Sequence, residues 1–231
     1  KLFTTKTLNI FFGKTNCKYI PLNNNLIDEI WRRRKTKGEN KFFRLPSSSV
    51  GESYKSKINK IFLKLRKNRA DYQFITASEN NAWLLNIRGN DSKYTPIPSC
   101  YILLDKKKNI KFFCDLKKIS TSFKKSFNKI KFINIKNTNL VLSQIYKKNI
   151  MIDKNTCSKY FESIILKNNK ICNQQDPVYA LKAIKTKKEI ENIKKAHIYD
   201  GVALTKYLFW LKNNFLKKKI TEISAEKKLF N

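Results

Sequence analysis

Asn81-Ala82-Trp83-Leu84-Leu85-Asn86-Ile87-Arg88-Gly89-Asn90-Asp91 is the stretch on which the reading turns. Trp83, Leu84, Leu85 and Ile87 form an apolar run that should be buried. Asn86, Arg88 and Asp91 are polar groups set into that run, and buried polar groups need partners. An ion pair between Arg88 and Asp91 is therefore expected to fix a turn at Gly89.

Outward from this block, residues 72–76 read as a strand, and 99–104 with 110–114 as a hairpin around 105–109. Further strands are expected at 130–135 and 149–152, and helices near 120–127, 139–147 and 156–166. This alternation argues an α/β layer around a mixed sheet. Upstream, a helix is expected from Val50, with Ser49 as cap and Glu52 as its capping-box partner. Tyr54, Ile58, Ile61, Phe62 and Leu65 fall on one face of that helix. Residues 1–24 read as a strand or two. Residues 25–31 are a short amphipathic segment with Asp28 and Glu29 where a helix dipole favours acids. Residues 32–49 are basic and polar, end in Pro46-Ser47-Ser48-Ser49, and read as a linker. A second boundary falls at Gln174-Gln175-Asp176-Pro177. A long helix follows over 187–213, with Ile190, Ile193, His197, Gly201, Leu204, Leu208 and Leu211 on one stripe. Residues 220–231 read as a helix without a stop signal, and the chain opens on Lys1. Both ends are expected to lie inside a longer polypeptide.

The 231 residues are 41% hydrophobic, enough for a real core, and carry a net charge of +33. Of the 50 basic residues 43 are Lys and seven are Arg. Lys, Asn and Ile are residues of A/T-rich codons, so codon bias on solvated faces accounts for much of the charge. Readers of bases lean on the planar fork of Arg, so specific nucleic-acid recognition is not expected. Five scattered cysteines without a CxxC pair read as reduced thiols of the cytosol. No run approaches the ~18 apolar residues that a membrane helix needs.

A hydrolytic metal site needs several convergent His, Asp or Glu ligands, and the chain has one His. His197 lies on the apolar stripe of the long helix, while Glu189, Glu191 and Asp200 fall on other faces. It reads as a core or interface imidazole. Ser-His-Asp or Cys-His catalysis would need the same residue, and the five glycines form no phosphate loop. Lys interleaved with Phe112, Phe113, Phe123, Phe127 and Phe132 could stack single-stranded bases, but their spacing buries the rings.

Three blocks together carry a resemblance: Asn25-Leu26-Ile27-Asp28-Glu29-Ile30-Trp31; residues 81–91 with Tyr94-Thr95-Pro96 and Ser99-Cys100-Tyr101; and Asp176-Pro177 through Lys182-Ala183-Ile184-Lys185, Glu189-Ile190, Ala196-His197-Ile198-Tyr199-Asp200-Gly201 and Trp210-Leu211. In this order the chain resembles the three-domain type of Xaa-Pro aminopeptidase. The resemblance implies a creatinase/prolidase N-terminal-type α/β domain, a mixed sheet flanked by helices, followed by a long linking helix. Residues 1–45 are similar to the end of a first creatinase-type domain plus linker, 46–175 to a second such domain, and 176–231 to the opening helices of a pita-bread catalytic domain. The family removes an N-terminal residue when proline is second and uses two divalent metal ions, usually manganese. Its ligands lie downstream of the matched region, so no catalytic or metal residue is assigned here. Asp105 and Asp115 approach the spacing of the family's Asp pair but lack its Thr-Asp-x-Thr-Arg context, and the role is not carried over.

The expectation is thus the front portion of a cytoplasmic peptidase, inactive alone, with no cofactor bound by this chain. Its peptide substrate would be met through the missing catalytic domain, and the full-length protein would be a homo-oligomer without membrane contact. Trp83, Asn86, Arg88, Gly89 and Asp91 are the structural motif, and Arg88 is the candidate for a position at the substrate entrance. The alternative is a non-catalytic binding module whose Lys-rich face contacts nucleic acid or another polyanion.

Overall fold

A computed structural model of the chain describes residues 3–16, 20, 22, 25–31, 40–92, 94–217 and 219–230. Two compact units are present, residues 1–45 with 52–184, and residues 46–51 with 185–231. The first unit begins with α1 (Thr5–Phe12), α2 (Leu26–Ile30), β1 (Phe43–Arg44), α3 (Tyr54–Lys67), β2 (Tyr72–Ile75), α4 (Ser78–Leu85) and β3 (Ile87–Arg88). It continues with β4 (Tyr101–Asp105), β5 (Ile110–Cys114), α5 (Thr121–Lys125), β6 (Ile130–Asn134), α6 (Thr138–Ser143), β7 (Asn149–Ile152), α7 (Lys159–Asn168), β8 (Lys170–Asn173) and α8 (Pro177–Ala183). The second unit holds a 3-10 turn at Ser47–Ser49, α9 (Lys187–Asn214) and α10 (Glu222–Phe230).

Six strands form a mixed sheet in the order β6-β5-β4-β2-β7-β8. The β4–β5 hairpin and the β2–β4 pair are antiparallel, while β5–β6, β2–β7 and β7–β8 are parallel. Side chains alternate across a strand, and here both alternations are buried. Ile75, Ile102, Leu104, Phe112 and Met151 pack on one side with Ile61 and Leu65 of α3 and Leu84 of α4. Phe74, Leu103, Phe113, Ile150 and Ile152 pack on the other with Leu142 of α6 and Phe161 and Ile165 of α7. A sheet covered on both faces needs continuous apolar strands, which is why β4 and β5 read as unbroken runs. Phe112, Phe113, Phe123 and Phe127 are core residues and Phe132 is half-buried against them, so the rings do not form a stacking surface.

Several expectations need correction. Residues 5–12 are helical, not extended: Thr4 in extended backbone accepts from the Thr7 N–H (3.1 Å), and Gly13 closes the helix onto the Asn9 carbonyl (2.9 Å). The helix expected from Val50 starts at Tyr54, capped by Ser53 accepting from Ser56 N–H at 3.2 Å. Ser49 instead ends the 3-10 turn of the other unit, where its carbonyl accepts from Asn192 Nδ2 at 3.1 Å. Gly51 lies so close to the Thr186 cap of α9 that a Cβ there would sit 1.9 Å from its hydroxyl. The short edge strand β8 escaped sequence reading because two of its four residues, Lys170 and Asn173, are exposed and polar. Cys17 and residues 32–39 of the expected linker lie outside the described residues, while the rest of that stretch includes buried Phe42 and the paired strand β1.

Cys100, Cys114 and Cys157 are free and buried, and Cys172 is half-buried. Burial pushes the Cys114 and Cys157 thiols up to about 12, and the Cys100 thiol is also raised by burial. Cys100 and Cys114 belong to one core face and Cys157 to the other.

Asp71 ties the start of β2 to its neighbours. Its carboxylate accepts from the Asn149 backbone N–H (3.0 Å) and from Lys106 Nζ (2.7 Å), and these bonds hold its pKa below the ordinary range. A depressed folded-state pKa contributes stability above the unfolded value, near 3.9, that disappears as pH falls through the folded value. Urea midpoints measured between pH 7 and pH 3 should therefore fall more steeply for the native chain than for Asp71→Asn, with the divergence beginning near pH 4.

Candidate functional site at residues 83–91

α4 stops because Asn86 turns left-handed, with φ 55° and ψ 43°. Asn tolerates this region better than most residues that carry a Cβ. Its N–H still reaches back to the Ala82 and Trp83 carbonyls. Asn86 then joins three parts of the chain, two through its side chain and one through its carbonyl. Oδ1 accepts from Lys57 Nζ at 2.7 Å, Nδ2 donates to the Glu52 carbonyl at 2.9 Å, and the Asn86 carbonyl accepts from Leu45 N–H at 2.9 Å. Lys57 is only 2% exposed. Burying an ammonium is expensive unless its donors are met. Here Nζ also donates to the Trp83 carbonyl (3.0 Å) and lies 3.8 Å from the centroid of the Trp83 ring. Leu84, Leu85 and Ile87 are buried as expected, but Trp83 is half-exposed because it roofs this ammonium.

β3 pairs with β1, Ile87 opposite Arg44 and Arg88 opposite Phe43. The expected Arg88–Asp91 pair does not form. Asp91 accepts instead from Lys118 Nζ, a pair that is nearly solvent-free, and from the Ser99 N–H at 2.6 Å. The loop from Asn90 returns toward β4 and brings Asp91 onto the 3-10 turn at Leu116–Lys118, a partner distant in sequence. Gly89 is needed for close approach and not for a positive φ: a Cβ there would lie 2.8 Å from Phe42 Cδ1 and 3.0 Å from Pro98 Cα. Arg88 is half-buried, donates from Nη1 to the Ile87 carbonyl (2.8 Å), and forms no ion pair with a described carboxylate. Desolvation lowers its pKa.

A second buried polar cluster went unseen in the sequence. Asp176, 4% exposed, accepts from Asn80 Nδ2 (2.6 Å), Gln73 Nε2 (3.0 Å) and the Val178 N–H (3.1 Å), while its own N–H donates to Asp153 Oδ2 (3.0 Å). Burial, together with Asp153 nearby, raises its pKa despite these bonds. The signal was present in Asp176-Pro177, an N-cap followed by Pro at the first helical position, where the sequence suggested only a boundary.

Asp105 and Asp115 also serve local structure. Asp105 Oδ1 accepts from the Lys107 and Asn109 N–H groups (2.8 and 2.9 Å) inside the hairpin turn, and Asp115 caps the following 3-10 turn through the Lys117 N–H at 3.0 Å. His197, read as a core or interface imidazole, is not in a core: it is exposed, and no residue of α9 is buried. Within its unit α9 packs on α10 and the Ser47–Ser49 turn, which leave this stripe uncovered. Among the described residues no three or more His, Cys, Asp or Glu side chains gather as a metal site. No described helix is long and apolar enough to cross a membrane.

Residues 33–189 match the creatinase/prolidase N-terminal domain. An Xaa-Pro aminopeptidase of Drosophila melanogaster is 29% identical over 97% of this chain and 38% of its own length. Xaa-Pro aminopeptidase 1 of Dictyostelium discoideum is 28% identical over 84% of the chain and 32% of its own length. The chain thus spans about two fifths or less of these curated relatives. Among solved structures, an X-prolyl aminopeptidase of Caenorhabditis elegans, described as a cytosolic enzyme with a di-nuclear active site, superposes with a TM-score of 0.79 at 24% identity, covering 91% of this chain and 35% of its own. An Xaa-Pro dipeptidase of Bacillus anthracis gives 0.57 at 18% identity, covering 77% and 48%. These two likenesses establish the fold.

The two roles of Asn86 can be separated by mutation. Asn86→Gly keeps the backbone conformation but removes the acceptor for Lys57, whereas Asn86→Ala also forces a Cβ into the left-handed region, a further cost of about 1–2 kcal/mol. Urea midpoints should rank native above Asn86→Gly above Asn86→Ala.

Proposed function

The chain belongs to the creatinase/prolidase N-terminal domain family, and from that premise we propose that it is the front portion of a metal-dependent Xaa-Pro aminopeptidase. The observation that carries this reading is similarity to Xaa-Pro aminopeptidases along 97% of the chain, within 38% of the Drosophila relative. In this proposal, residues 46–175 form a second creatinase-type domain, residues 1–45 close a first one, and residues 176–231 open the catalytic domain. The whole protein removes the N-terminal residue from peptides with proline second. It works in the cytoplasm as a homo-oligomer.

Two divalent ions, manganese in this proposal, would supply the activated water for such hydrolysis. The described residues do not fit that role: no three His, Cys, Asp or Glu side chains gather among them, Asp105, Asp115 and Asp176 accept backbone N–H groups, and the single His is an exposed side chain of α9. The chain's contribution is shape and access. Arg88 is the residue assigned to substrate, since its half-buried cation lacks a carboxylate partner among the described residues. It would meet an anionic group of the peptide at the entrance.

Two measurements test this reading. The 231-residue chain supplied with manganese should release no N-terminal residue from an Xaa-Pro peptide, whereas the full open reading frame containing it should do so, with loss on chelation. Chelator-sensitive turnover by the 231-residue chain would refute the assignment of the metal site elsewhere. In the full-length enzyme, Arg88→Ala should raise KM at least about tenfold with kcat little changed, the pattern of lost uniform binding. An unchanged KM would remove Arg88 from the entrance.

A further inference from the structure

We propose that the end of the sheet at which β2, β5, β6, β7 and β8 begin is a binding surface for the phosphodiester backbone of a nucleic acid, held without reading its bases. Four segments meet at this end. Residues 64–72, 105–109, 147–149 and 167–170 contain eleven Lys or Arg and two carboxylates, Asp71 and Asp105. All eleven basic residues are exposed. Hydrogen bonds hold the segments together. The Asp71 N–H donates to the Asn149 carbonyl (2.8 Å), the Lys106 N–H to the Asp71 carbonyl (2.9 Å), the Lys147 N–H to the Asn168 carbonyl (2.9 Å) and the Lys170 N–H to the Lys148 carbonyl (2.9 Å). Arg66 and Lys108 both approach the Phe62 ring, at 6.0 and 4.8 Å, which joins α3 to the hairpin tip.

The two acids offset only part of the charge of eleven cations, and Asp71 does so by pairing with Lys106. Asp105 is occupied by backbone N–H groups of its own turn, and Asp71 by Asn149 and Lys106. Carboxylates are unevenly placed along the strands: Glu79, Asp91, Asp115, Asp153, Glu162 and Asp176 all lie beyond the opposite strand ends or on helices that begin there, where lysines also occur. Capping of turns and helix starts accounts for Asp115, Asp153 and Asp176 at that end, and it leaves only Asp71 and Asp105 among the cations of this one.

The turn residues point the same way. Four described non-glycine residues have positive φ, and three of them, Arg69 (49°), Lys108 (66°) and Lys147 (50°), are cations at the tips of this end. Asn relieves that strain better than Lys or Arg, and A/T-rich codons supply Asn as readily as Lys. Arg is scarce in the chain, yet two of its seven, Arg66 and Arg69, lie here. From β5 to β8 the ridge crosses four strand spacings, about 19 Å. That span accommodates several successive phosphates of one strand. A protein partner fits less well, because Lys is depleted from the centres of protein interfaces.

The experiment measures binding of a mixed-sequence 20-nucleotide RNA to the 231-residue chain by fluorescence anisotropy across 50–300 mM NaCl. The variant Arg69→Asn, Lys108→Asn, Lys147→Asn keeps each turn. It should bind at least about tenfold more weakly at 150 mM and flatten the log–log salt slope by about 2, the loss of three phosphate contacts. A second variant, Lys64→Asn, Lys67→Asn, Lys167→Asn, alters no left-handed turn and should behave alike. The control Lys117→Asn, Lys124→Asn, Lys136→Asn, at exposed lysines after β5 and β6, should stay within twofold. Urea midpoints establish that all three fold. Equal loss in the control would assign binding to net charge alone and overturn the proposal. So would absence of binding at 150 mM, equal competition by polyglutamate, or retention on phosphatidylserine vesicles that RNA does not displace.

Discussion

Lys57 inserts an ammonium into the interior of the first unit, and the local architecture is arranged to satisfy it. An unmet buried charge costs several kcal/mol, so the surrounding chain has little freedom. Asn86 must present its amide oxygen, and can do so because the backbone turns left-handed at that point. Trp83 must lie over the ammonium and offer its carbonyl. Once Asn86 is fixed, β3 leaves α4 in the direction that pairs it with β1, and Gly89 can pass close under Phe42. Apolar burial supplies the larger share of stability. This polar junction fixes the register in which the burial occurs.

The parts of the fold that sequence made legible are those in which a local pattern and the tertiary demand coincide. β2 and the β4–β5 hairpin have strand composition and a turn-forming segment, and they are buried strands. Legibility failed where two local solutions compete. Ser49 with Glu52 makes a better capping-box pattern than Ser53, yet Ser53 caps α3, because residues 46–51 belong to the other unit and Gly51 must lie against Thr186. The motif residues were legible as a buried group, but their partners were not. Arg88 and Asp91 are three apart in sequence, and the true partner of Asp91 is Lys118, brought in by the 3-10 turn after β5. His197 reads as a core or interface imidazole, and its exposure excludes only the core position. A periodic stripe identifies a face that can be covered but does not supply the cover.

Membership in the family accounts for the order in which helical and strand segments alternate. Asp105, Asp115 and Asp176 each accept backbone N–H groups at turns or helix starts, where a carboxylate does more for the fold than for chemistry. The folded arrangement adds the distribution of charge, which similarity over 97% of the chain at 29% identity does not convey.

The buried cysteines make the molecule its own gauge of internal motion. A thiol reacts through its thiolate, and thiols pushed up to about 12 are almost wholly protonated at neutral pH, besides being screened by packing. Alkylation of Cys114 or Cys157 can then proceed only as fast as the surrounding layer opens. Because Cys114 belongs to one face of the sheet and Cys157 to the other, their labelling rates would clock the two helical layers independently. Equal rates would mean the layers come apart together, and unequal rates would identify the looser side.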